Sequence, residues 1–113
     1  MGDAIDDHDD VAVAAITVAE LKVGIRLAKG QKRKKRERFV AAVLEAVSVE
    51  PYDLDVAEAH AALLAHVRQT GTPRGAHDLI IAATARARAR QVVSSDRSGF
   101  LDLPDVSMLG RGD

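Results

Sequence analysis

Glu20, Asp78 and Asp96 are the side chains whose type and position point to chemistry. Each falls near the end of an expected strand. Glu20 is one turn into the helix after residues 11–16, Asp78 opens an apolar helix behind a glycine-containing loop, and Asp96 directly follows residues 92–95. In a parallel α/β sheet, ligands collect at the carboxyl ends of the strands. Three carboxylates converging there repel one another unless a divalent cation sits between them. Oxygen-only donors, in a chain without cysteine, favour Mg²⁺ or Mn²⁺ over zinc. Such an ion activates water and stabilises a phosphate in line. Each acid also has a structural reading. Thr17-Val-Ala-Glu20 matches a capping box, Asp78 suits a helix cap or first turn, and Asp96 suits a turn after a strand.

Other constellations are weaker. His60 and His66 are six residues apart and share no helix face as metal ligands would; they read as core-edge and surface histidines. His77, beside Asp78, reads as a packing or backbone-contacting residue, with orientation of a carboxylate as the alternative. Ser94 and Ser95 lack the GxSxG nucleophile elbow, and neither a Walker A loop nor GxGxxG occurs.

The elements that must position the acids follow from periodicity. Residues 11–16 (VAVAAI) form a short apolar run read as a buried strand. Val18, Leu21, Ile25 and Ala28 recur at helical spacing, with Gly30 as the expected stop. Residues 31–47 give a second helix, basic in its first half and apolar at Phe39, Val40, Val43, Leu44 and Val47 in its second. A short strand at 47–49 ends before Pro51. Asp53 or Asp55 caps a third helix carrying Val56, His60, Leu63, Leu64 and Val67 on one face. A loop at 70–75 leads into the apolar helix that Asp78 opens, followed by a strand at 91–95, a turn at 96–99 and a last short strand within 104–109. Alternating strands and helices imply a parallel sheet with both faces covered.

Composition excludes several classes. The chain has 113 residues, 47% hydrophobic and 29% charged, which fits one domain with a real core. No apolar run approaches the roughly 18 residues of a membrane span, and the acidic start is unlike a secretory signal. With no cysteine the chain fits a reducing, cytoplasmic setting. The net charge of -1 gives no global pull towards nucleic acid, yet Lys29, Lys32, Arg33, Lys34, Lys35, Arg36 and Arg38 hold seven of the 16 basic residues. Such a run is usually a solvated helix start; contact with RNA phosphate or an acidic partner is the alternative. Phe39, Tyr52 and Phe100 are too few aromatics for a base-stacking module.

Three segments together resemble a known family: Ala15-Ile-Thr-Val-Ala-Glu-Leu21, Pro73-Arg-Gly-Ala-His-Asp-Leu-Ile-Ile-Ala-Ala83 and Val92-Val-Ser-Ser-Asp-Arg-Ser-Gly-Phe100. In this order they are similar to PIN-domain proteins of the VapC toxin type, over roughly residues 11–109. The resemblance implies a three-layer α/β/α fold with a short parallel sheet. It also implies an Mg²⁺- or Mn²⁺-dependent endoribonuclease that a VapB-type antitoxin neutralises and that forms a homodimer. It assigns Glu20, Asp78 and Asp96 as catalytic, metal-holding acids, with Thr17 and Ser95 as neighbouring hydroxyls. The expected organisation is an acidic, disordered segment at 1–10, a PIN-like domain at 11–109 and a flexible tail at 110–113. The family pattern opens with a strand ending in aspartate and then a helix, and neither precedes residue 11. The expectation is therefore a domain lacking its first strand and helix, through a start called too late or a degraded copy. The alternative function is a catalytically inactive remnant that only binds a partner protein. A receiver-type phosphoacceptor domain fits poorly, because its paired acids and strand-end lysine are missing.

Overall fold

A computed structural model describes residues 11–94 and 97–108. The described residues fall into two compact units, 11–51 and 52–108.

In the first unit the apolar run yields strand β1 (Ala12–Ala14), then helix α1 (Ala15–Leu27), helix α2 (Gly30–Ala46) and strand β2 (Ser48–Glu50). β1 and β2 pair in parallel, Ala12 opposite Ser48 and Ala14 opposite Glu50. A parallel pair needs a crossover, and α1 and α2 supply it. The strand is shorter than expected because helical backbone already begins at Ala15. Gly30 does not stop α1 but opens α2. Ala28 and Lys29 are extended, and Gly30 then takes φ +60, a left-handed value that glycine adopts without a Cβ penalty. Ala14, Ile25, Ala28 and Val40 are buried, whereas residues 29–39 are exposed throughout.

The second unit is built on helices α3 (Leu54–Thr70) and α4 (Ala76–Ala87). Asp53 is the N-cap of α3, and its Oδ1 accepts from the Val56 amide at 3.1 Å. Gly71, at φ +68, ends the helix in the left-handed cap that favours glycine. Val56, Ala59, Leu63 and Val67 form the buried stripe of α3 at spacings of three and four. They meet Leu79, Ala82, Ala83 and Ala85 of α4, with Val92, Phe100 and Leu103 completing the core. The alanines let the two helices approach closely. Strands β3 (Gln91–Val92) and β4 (Ser107–Met108) pair in parallel, and a 3₁₀ turn at Arg97–Gly99 lies between them in sequence.

The arginines at the end of α4 do more than complement a helix dipole. Arg88 Nη2 donates to Asp53 Oδ2 at 2.7 Å, so the end of α4 is tied to the cap of α3. The Val56 amide and then Arg88 hold the Asp53 carboxyl below its ordinary pKa of 3.8. Arg86 donates to the Pro104 carbonyl at 3.3 Å and stands 3.5 Å from Asp105. The mixed α/β class with parallel pairing agrees with the sequence. The expected segments 1–10 and 110–113 lie outside the described residues.

Candidate active site

Asp78 is the third residue of α4, not its first, because the helix starts at Ala76 with Gly75 as its N-cap. No side chain caps this end. A carboxylate in the first turn meets the partial positive charge of unpaired backbone amides, a favourable placement for an anion. Two glycines make the space for it. A methyl group placed on Gly75 would stand 3.6 Å from Asp78 Oδ2; one on Gly99 would fall 2.5 Å from the same oxygen and 3.2 Å from Cγ. Gly99 is buried, so the Asp78 carboxylate lies against the bare backbone of the Arg97–Gly99 turn. That turn begins at the residue after Asp96. Asp96 itself, like Ser95, lies outside the described residues.

Arg74 fastens the two sides of this cradle, a role the sequence reading did not assign. Its guanidinium donates to the Leu101 carbonyl at 2.8 Å and to the Thr72 carbonyl at 2.9 Å. The loop before α4 is thereby tied to the chain two residues beyond Gly99. Its Nε is buried with no hydrogen-bond partner among the described residues. The signal was available: Arg74 is a cation set between Pro73 and Gly75, inside the second of the three segments that carry the family resemblance.

Glu20 is exposed on α1, in the unit spanning 11–51. The capping-box reading of this residue does not hold. The N-cap of α1 is Ala14, without a side-chain cap, so Glu20 falls a full turn too late and the first turn carries no acid. Thr17 is half-buried in that first turn. Among the described residues, no three His, Cys, Asp or Glu side chains gather as a metal site. His60 Nδ1 shares a hydrogen bond of 2.8 Å with the Tyr52 hydroxyl, their rings edge to face at 5.8 Å, which agrees with its structural reading. His66 is half-buried on the same helix, and His77 is exposed on α4.

Comparison with known proteins places this geometry in context. The PIN domain family model matches residues 2–105. The chain is 38% identical over 92 residues to VapC ribonuclease Y4jK of Sinorhizobium fredii, covering 78% of this chain and 66% of that protein. It is 34% identical over 96 residues to Toxin FitB of Neisseria gonorrhoeae, covering 81% and 69%. Among solved structures, VapBC-5 from Mycobacterium tuberculosis, of the VapBC family of toxin-antitoxin systems, superposes with a TM-score of 0.77 at 29% identity. That match covers 94% of this chain and 90% of the other. The chain thus spans about two thirds of the length of the curated relatives it matches.

Proposed function

The chain belongs to the PIN-domain family, in its VapC branch, and from that premise we propose that it is a metal-dependent endoribonuclease, the toxin of a cytoplasmic toxin–antitoxin pair. Its partners are then an RNA substrate, a VapB-type antitoxin that neutralises it and a second copy of the toxin. The observation that carries the reading is the cradle of Asp78: a carboxylate at a helix N-terminus, set against a glycine whose Cβ would collide with it.

The residues fit Mg²⁺ or Mn²⁺, because the donors are carboxylates and the cradle leaves Asp78 room to present one. The family resemblance is what assigns Glu20, Asp78 and Asp96 to hold it. Bound there, a divalent cation would offset the negative charge on a phosphate oxygen and would make a water more acidic. The chain's own part is positional. Asp78 is set in the first turn of α4, and Arg74 holds the loop before α4 beside the chain after Gly99.

The test is cleavage of a loop-containing RNA with Mg²⁺, with chelator, and with Asp78→Asn. Asparagine keeps the shape but weakens the field for a cation, so activity should fall on the order of a hundredfold or more. Cleavage that resists chelator, or an Asp78→Asn protein as active as the parent, refutes the reading. Absent cleavage in the parent, with antitoxin binding retained, identifies an inactive copy that only binds its partner.

A further inference from the structure

The first half of α2 has its charges the wrong way round for a stable helix. Lys32 and Arg33 lie in its first turns, where the helix end is partially positive, and that end carries no acid; no base sits in the last turn. Lys34 and Arg38 are four apart, and Lys32, Lys35 and Arg38 are three apart, so like charges are neighbours along the helix. Among the described residues, only two of the seven cations have a partner. Arg33 Nε stands 3.8 Å from Glu37, and Arg36 Nη1 donates to the Gly24 carbonyl at 2.8 Å. Lys29, Lys32, Lys34, Lys35 and Arg38 have no hydrogen bond or ion pair among the described residues. All are exposed.

We infer that this half of α2 is a binding surface for the phosphate backbone of single-stranded RNA. The inference rests on the nuclease reading for the choice of ligand and on α2 alone for the surface. Two observations favour RNA over an acidic protein. Residues 31–38 (QKRKKRER) contain no apolar side chain, whereas a protein interface draws its affinity from buried apolar or aromatic anchors. A phosphate backbone needs cations only, releasing its counterions as they bind. The next residue, Phe39, is 61% exposed. It follows Lys32 and Lys35 at i+7 and i+4 on one stripe of the helix, so a ring able to stack on an unpaired base stands in line with two cations. Gly30 to Phe39 rise ~15 Å along the axis, enough to follow several successive phosphates.

The experiment measures binding of the full chain to labelled poly(U) and to an RNA duplex, in chelator so that nothing is cut, across a salt series. The parent should show a steep salt dependence. The triple variant Lys34→Gln, Lys35→Gln, Arg38→Gln should flatten the slope of log affinity against log salt by about 2, at roughly 0.7 for each lost contact to a single strand. Glutamine is a good helix former, and removing like charges should leave the thermal midpoint equal or higher. Phe39→Ala, which removes an exposed ring, should weaken poly(U) binding about fivefold or more while sparing the duplex. An unchanged slope in the triple variant overturns the inference. So does competition by poly-glutamate as effective, charge for charge, as poly(U), which would assign the surface to an acidic protein. Binding without cleavage when Mg²⁺ is restored sinks the nuclease reading alone; cleavage by a triple variant that binds like the parent sinks this surface alone.

Discussion

Gly99→Ala isolates the cradle from the rest of the fold. Gly99 is outside the positive-φ residues, which among the described glycines are Gly30 and Gly71, so alanine meets no backbone strain there. What it meets is Asp78: the new Cβ would stand 2.5 Å from Oδ2, where ordinary contact begins at 3.4 Å. The oxygen must therefore retreat by roughly 1 Å. The atom in the way is the far end of a side chain with two rotatable bonds, although Cγ at 3.2 Å limits how the carboxylate can swing. An off-rotamer adjustment of this kind costs about 0.5–1.5 kcal/mol. For a chain of this size that corresponds to a fall in Tm of about 4–8 °C at 1 kcal/mol. The effect on catalysis should be far larger. Misplacing a reacting or ligating group by about 1 Å costs on the order of a hundredfold in rate. The assay pairs a thermal melt with RNA cleavage over an Mg²⁺ titration. The expected result is a folded protein with a modestly lower midpoint and activity that is strongly reduced or recovered only at high Mg²⁺. Parent-like activity at limiting Mg²⁺ would refute the claim that the orientation of Asp78 matters. Loss of cooperative unfolding would refute the claim that the side chain, not the core, absorbs the collision.

Asp53→Asn should keep the cap of α3, since asparagine caps as well as aspartate, and lose the charge that meets Arg88. Because the native pKa of Asp53 is lowered, its share of stability is present above the unfolded value and is lost as pH falls through the native one. The difference in Tm between parent and variant should be positive near neutrality and close below about pH 4; a difference independent of pH would contradict the ion-pair account. Leu63→Ala removes a fully buried side chain of α3 facing α4. It should cost about 2–5 kcal/mol, read as a lower denaturant midpoint with an unchanged slope, and a loss under 1 kcal/mol would show that α3 and α4 collapse around the void.

What the sequence discloses depends on whether a signal is local or needs a partner. The stripe of α3 is legible because burial at spacings of three and four leaves a direct pattern: the structure buries Val56, Leu63 and Val67 as expected, adds Ala59 while His60 and Leu64 stay half-buried, and selects Asp53 over Asp55 as the cap. The ends of α1 are not. Ala14 and Ala15 are good helix formers, but they sit in an apolar run led by alternating valines that reads as a strand, so the hydroxyl of Thr17 invites a capping box that the backbone has already passed. Gly30 misleads in the same way: a left-handed glycine marks a change of direction, and whether it ends one helix or begins the next is decided by the extended Ala28 and Lys29. The candidate site divides along the same line. Asp78 is recognisable from the glycine before it and the apolar run after it. The reason its carboxylate has space is Gly99, 21 positions further along the sequence. The brace is Arg74 reaching across to Leu101. Each of these contacts pairs an ordinary residue with a distant one, and neither member has a composition or periodicity that announces the other. With its capping-box reading removed, Glu20 is an exposed acid of α1 whose role, like the fit of Asp78 against Gly99, is not written in its neighbouring residues.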